Sequence, residues 1–146
     1  MLKGIDPLLS PDLLWLMAAM GHGDDLAVVD ANHPAERIAM ASISKRLVRL
    51  PGLALPQVIA AILTVFPLDT SEPDPVRAMI DVRTPDTPPI HDAALHEINR
   101  RVQPPLALGA LERFAFYDHA RSSFGVVQVG DISPFGCFLL RKGTLG

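Results

Sequence analysis

The apolar positions of the chain fall into short blocks divided by turn residues, and their spacing alternates between helical and strand-like periods. Ser10-Pro11-Asp12 predicts a helix start: Ser10 caps, Pro11 suits the first helical position, and Asp12 complements the positive helix end. Leu13, Leu14, Leu16, Met17 and Met20 then cover one face, Trp15 lies off that stripe where it can meet a partner, and Gly21 stops the helix. Leu26-Ala27-Val28-Val29 is continuously apolar, the pattern of a strand covered on both faces. Residues 37–50 are mixed, and only 46–50 predict a short strand, its basic and apolar positions alternating as on an edge or interface.

Residues 55–66 predict a helix halted by Pro67, residues 67–75 a loop and residues 76–82 a strand. Three prolines mark residues 83–89 as an exposed connection, and residues 91–102 follow as a helix. A short strand at 108–112, a helix from Arg113 to Phe124, a strand at 125–129, a turn at 131–134 and a last strand at 137–140 complete the chain. This alternation predicts an α/β fold, a single-domain sandwich of helices around a mixed, partly parallel sheet.

Composition narrows the compartment and the partners. A chain of 146 residues is most simply one domain that buries a core without staples. With a net charge of −3 and no dense basic run, it predicts no nucleic-acid partner and no anionic-membrane surface. Cys137 is alone, so no internal disulfide or structural zinc site is expected, and a cytoplasmic location fits. The apolar stretch 13–20 has eight residues, short of the ~20 of a membrane span. Apolar residues make up 49% of the chain but aromatics only 5%, so aliphatic packing dominates and some apolar surface is available to other subunits.

Chemistry concentrates at the polar breaks. Gly21-His22-Gly23-Asp24 puts a titratable group between two buried elements, and two readings stand for it. In the first, Gly21 is a helix C-cap, Gly23 relieves a tight turn and His22 is merely solvated; in the second, the turn presents His22 for function. Asp30, with His33 in the polar loop after it, stands at the carboxyl end of a buried strand, where open α/β sheets bind ligands. His33 is expected to be a surface-loop histidine, and Asp30 reads equally as a turn cap. His91 and His96, five residues apart, do not stack as a metal pair would and read as solvated helix residues. No phosphate loop, nucleophile elbow or zinc signature is present.

Leu8-Leu9-Ser10-Pro11-Asp12-Leu13-Leu14, Met20-Gly21-His22-Gly23-Asp24-Asp25, Asp30, Pro67-Leu68-Asp69-Thr70, Arg113-Phe114-Ala115-Phe116-Tyr117 and Phe138-Leu139-Leu140-Arg141-Lys142-Gly143 together resemble the L-fucose mutarotase and D-ribose pyranase family, nearer its fucose branch. The likeness runs from end to end and is weaker over residues 37–53 and 83–105. It implies an isomerase that interconverts the anomers of a free, L-fucose-like monosaccharide without metal or other cofactor. It also implies a ring-like homo-oligomer with sites near subunit boundaries. On this resemblance His22 is the acid/base residue, Asp30 and Tyr117 bind the sugar, and Arg113 belongs to the same neighbourhood.

The residue types suit that chemistry. Mutarotation opens a hemiacetal: one group takes the anomeric hydroxyl proton while another protonates the ring oxygen, and the roles reverse after the carbonyl rotates. An imidazole, with an ordinary pKa near ~6.5, works in both directions around neutral pH. Geometry adds a constraint, because five extended steps at ~3.3 Å hold the ends of the strand before Asp30 roughly 17 Å apart. His22 and Asp30 of one chain then cannot grip one sugar, and the site is expected to be shared between subunits.

Two positions depart from the family pattern, which usually carries a tyrosine, a small residue and an asparagine before the last strand. Here Phe135, Gly136 and Cys137 stand there, so a hydroxyl and an amide are lost from the sugar-binding set. Three function classes follow: a mutarotase, a non-catalytic sugar-binding or regulatory oligomer, and a metal-dependent hydrolase built on His22, Asp24 and His33.

Overall fold

The computed structural model describes residues Met1–Gly146. Its first helix, α1 (Pro11–Ala19), begins as the sequence dictates, with the Ser10 hydroxyl accepting the Leu13 N–H at 3.3 Å. Leu13, Leu16, Met17 and Met20 are buried, while Trp15 stands out and stacks under the Arg46 guanidinium 3.8 Å from its ring centre. The helix ends at Met20 in extended conformation, so Gly21 is not the cap. Lys142 supplies the capping charge instead, its ammonium donating to the carbonyls of Met17 and Met20 at 2.7 Å each.

The remaining elements are β1 (Asp25–Val29), α2 (Ala35–Ala41), β2 (Leu47–Leu50), α3 (Leu55–Ile62), β3 (Val76–Met79), α4 (Pro89–Asn99), β4 (Gly109–Leu111), α5 (Arg113–Arg121), β5 (Gly125–Val129) and β6 (Phe138–Arg141). The helix α2 was not foreseen in the mixed stretch before β2. It is seven residues long, no side chain caps it, and only Ala35, Ile38 and Ala39 are buried, so no periodic signal marks it. Predicted elements are otherwise present, several of them shorter than expected, with α3 ending at Ile62 and β3 at Met79.

The six strands form one sheet in the order β2-β5-β1-β6-β3-β4. The pairs β2/β5, β1/β5 and β3/β4 are parallel, whereas β6 runs antiparallel to both β1 and β3, which makes the sheet mixed. The alternating strand β2 lies on the edge, as its pattern predicts. Helices cover both faces. Leu26 and Val28 of β1 pack with α1, α3 and α4, while Ala27 and Val29 pack with α2 and α5. No helix is long and apolar enough to cross a membrane.

This topology decides which loops meet. Because β6 opposes β1 and β3, its amino end lies beside their carboxyl ends, gathering Cys137, Asp30 and Met79 at one end of the sheet. Its carboxyl end lies beside their amino ends, gathering residues 21–24, 67–69 and 141–143 at the other.

Candidate functional site

At the amino end of β1 the chain after α1 folds into a turn closed by its own atoms. Asp24 Oδ2 accepts the Gly21 N–H at 2.7 Å, and the Asp24 N–H reaches the Gly21 carbonyl at 3.2 Å. Gly23 sits at φ +90, a conformation in which a side chain is strained, so the second glycine of the motif is the one the turn requires. The end of β6 then joins this turn to a distant segment. Gly23 N–H donates to the Lys142 carbonyl at 2.8 Å on one side, and Asp69 N–H donates to the Arg141 carbonyl at 3.0 Å on the other.

His22 and Asp69 meet across that extension, Nε2 to Oδ2 at 3.2 Å. The histidine keeps 55% of its side chain exposed while the aspartate keeps 5%. A carboxylate only accepts, so Nε2 carries the proton and Nδ1, which has no hydrogen bond within the chain, is the free nitrogen. The Asp69 carboxyl is held below the usual carboxylate range, first by the Ser71 hydroxyl at 2.6 Å and then by His22. An ionised, buried carboxylate thus orients an exposed imidazole. Asp69 lay inside a motif singled out in the sequence, but its pairing with His22 is a long-range product of β6 and had no local signal.

The carboxyl end of β1 builds a second group. Asp30 is buried, its Oδ1 accepting the Asn32 N–H at 2.9 Å and its Oδ2 the Cys137 thiol at 3.5 Å. Burial pushes the Asp30 carboxyl up, partly offset by the Asn32 N–H and the Cys137 thiol. Because the Cys137 proton goes to Asp30, the contact of 3.5 Å between Cys137 Sγ and His33 Nδ1 assigns a proton to Nδ1. His33 Nε2 is then a bare acceptor, buried with no partner. Burial, and next the charge of Asp30, push the Cys137 thiol well above its usual range, so while it is enclosed it is a neutral donor, and its reaction as a nucleophile waits on opening of the site.

His33 is therefore a core histidine, contrary to the surface-loop reading. Its ring stands edge-on to Phe116 and Tyr117 with centres 5.7 and 5.3 Å apart. Gln128 holds the whole 30–33 loop, its amide donating to the carbonyls of Asp30, Ala31 and His33 at 3.2 to 3.3 Å. Gln128 is the one polar side chain in the apolar strand β5, and that anomaly was the available clue. On α5, Arg113 Nε donates to Tyr117 Oη at 3.1 Å, at the exposed rim of the same end.

Phe135 is half-buried at φ +61, one residue before Gly136, whose backbone lies against Asp30. His91, read from the sequence as solvated, is buried and meets the Phe135 carbonyl at 2.9 Å. With Ala94 and Ile98 it lies on the buried face of α4, a stripe that comparing His91 with His96 alone does not disclose. Asp30, Tyr117, Arg113, Phe135 and Cys137 thus gather at one end of the sheet, while His22 stands at the other. His22, Asp24 and His33 do not converge, since β1 separates the first two from the third.

The two histidines at this end set a pH dependence of folding. Burial lowers the His33 pKa from its ordinary 6.5 to about 4. His91 is lowered too, by burial first, with the Phe135 and Met79 carbonyls pulling the other way. As pH falls from 6.5 towards about 4, the unfolded chain takes up protons that the folded chain refuses. Stability is complete above 6.5 and is lost across that window, by about 2 kcal/mol from His33 alone at pH ~5. Asp30, with its raised pKa, works in the opposite sense at the lower end. His33→Phe, which keeps the ring packing, is expected to lose less stability than the wild type between pH ~7.5 and ~5 in urea unfolding; equal losses would refute the assignment.

Residues 3–145 match the model of the RbsD / FucU transport protein family. The chain is 38% identical over 147 residues to the fucose mutarotase of Homo sapiens, covering 99% of this chain and 94% of that protein. Its fold is similar to the crystal structure of FucU from Bifidobacterium longum, with a TM-score of 0.91, 37% identity, and 99% and 100% of the two chains covered. It is also similar to the fucose mutarotase in complex with L-fucose from Streptococcus pneumoniae, with a TM-score of 0.89, 29% identity and the same coverage.

Proposed function

The chain belongs to the RbsD / FucU family, and from that premise we propose that it is a monosaccharide mutarotase, interconverting the α and β anomers of a free, L-fucose-like sugar. The observation that carries the reading is the exposed His22 imidazole held by the buried Asp69 carboxylate on a rigid glycine turn. Acid/base ring opening needs a group that both gives and takes a proton at one place, and His22 Nδ1 does so when Nε2 is anchored. No cofactor is required, because no electrons and no group other than protons are transferred.

In this reading His22 removes the proton of the anomeric hydroxyl, and Asp69 stabilises the imidazolium that results. The imidazolium delivers that proton to the ring oxygen as the ring C–O bond breaks, and the aldehyde rotates; on closure from the other face His22 takes the proton from the ring-oxygen hydroxyl and returns it to the new anomeric oxygen. Asp30 accepts from sugar hydroxyls, while Tyr117 and Arg113 supply a hydroxyl and a cation at the rim. Phe135 offers an aromatic face without a hydroxyl, and Cys137 gives its thiol proton to Asp30.

We propose further that the enzyme works as a ring-like homo-oligomer in which His22 of one subunit faces the Asp30 group of its neighbour. Trp15, Met40, Ile43, Phe114 and Ile132 are exposed apolar side chains that such an assembly would cover. Saturation-difference NMR on free L-fucose and D-ribose tests the activity, because it reports binding and anomer exchange together. Protein-accelerated exchange supports the mutarotase. Binding without acceleration would instead favour a sugar-binding oligomer, the reading that the loss of the tyrosine hydroxyl at Phe135 and of the amide at Cys137 keeps in view.

A further inference from the structure

We infer that His91, outside the sugar-binding set, is a positioning residue for it: its Nε2–H holds the Phe135 carbonyl, fixes the left-handed turn there, and so seats Gly136 and Cys137 against Asp30. The inference rests on the mutarotase reading for what those residues bind, but its geometry stands apart from that reading. Phe135 is at φ +61, a conformation that bulky residues seldom adopt and keep only where their surroundings impose it. The carbonyl of that same residue accepts from His91 Nε2 at 2.9 Å. A carbonyl cannot donate, and of the Phe135 and Met79 carbonyls that face the ring only that of Phe135 meets hydrogen-bond geometry, so the proton is on Nε2.

His91 is itself held by packing. It is 3% exposed in the first turn of α4, and its ring packs edge-on against Phe138 with centres 5.4 Å apart. The segment is pinned again two residues later, where the Met79 N–H donates to the Cys137 carbonyl at 3.0 Å. Between the two pins lies Gly136. A Cβ there would stand 3.3 Å from Asp30 Cβ and 3.2 Å from the Ser133 carbonyl oxygen, so the backbone at Gly136 rests directly on the carboxylate-bearing residue. Releasing the first pin lets Phe135 leave the strained region, and the peptide against Asp30 moves with it. Phe135 also borders an open cavity of about 320 Å³ lined by Asp81, Thr84, Asp86 and Ser133.

Cys137, the only cysteine, reports the motion independently of any sugar. In the full-length protein, His91→Leu keeps the apolar packing without the donor, and His91→Gln keeps an N–H near the position of Nε2. Modification of Cys137 by an aromatic disulfide reagent is expected to be about tenfold faster in His91→Leu, the order that one buried hydrogen bond supplies, and within about twofold of wild type in His91→Gln. Unchanged labelling in His91→Leu, or equally fast labelling in both variants, would overturn the inference. If His91→Leu does not fold, nitrogen-15 NMR of the wild-type histidines decides: a slowly exchanging Nε2–H on His91 supports the pin, and an Nδ1–H tautomer overturns it. With L-fucose, His91→Leu is expected to raise KM more than it lowers kcat; faster labelling with an unaltered KM would overturn the link to the site. Failure of the wild type to accelerate anomer exchange would instead remove the mutarotase reading and leave the labelling result standing.

Discussion

Replacing His22 by Gln slows protein-catalysed anomer exchange of L-fucose by about 10²- to 10⁴-fold, the range that a positioned general acid/base contributes. The fold is expected to survive, because the side chain is 55% exposed and the turn is held by backbone bonds to Lys142 and by the Asp24 carboxylate. Stability should therefore change by no more than about 0.5 kcal/mol, the usual span for exposed positions. The same carboxylate that anchors the ring makes Asp69→Asn a graded companion: an amide can still accept from Nε2–H but does not stabilise the imidazolium, so a smaller loss with little change in KM is expected. Line-shape or exchange spectroscopy on the two anomeric protons measures both variants. A His22→Gln protein that exchanges L-fucose at the wild-type rate would end the assignment of His22 as the acid/base, whatever the sugar.

Local chemistry made much of this fold legible. The Ser10 cap, the two-sided apolar run of β1 and the edge character of β2 are each written in a few adjacent residues, and the structure repeats them. The failures at the histidines share one cause. Whether His33 and His91 are buried depends on what packs over them, Phe116 and Tyr117 from α5 in one case and Phe138 from β6 in the other, and no window of sequence contains both partners. The pairing of His22 with Asp69 spans 47 residues and exists because the end of β6 hydrogen-bonds to both segments. Helix α2 was missed for the opposite reason: its seven residues are locally weak and are held by packing on β2, β5 and α5. The residue types of the candidate site were thus visible in the sequence, but their structural partners were set by topology.

The separation of His22 from Asp30 leads to the second large effect. Strand β1 is extended and paired on both sides, with β5 and with β6, so the chain between the two residues cannot fold back. Its five residues span roughly 17 Å, and His22 lies three residues further on. One sugar cannot bridge that distance, so if both residues act on it they come from different chains. His22→Gln and Asp30→Asn should each be nearly inactive alone. When equal amounts are dissociated together in mild denaturant and allowed to reassemble, random mixing leaves roughly a quarter of the intersubunit sites with both native residues, and exchange should return to about that fraction of the wild-type rate. A site contained within one chain gives a different result, because every chain in the mixture then lacks either His22 or Asp30. Activity that stays at the sum of the two variants after co-assembly is verified by mass would reject the shared site, and a monomer separated by sedimentation that keeps full activity would reject it directly.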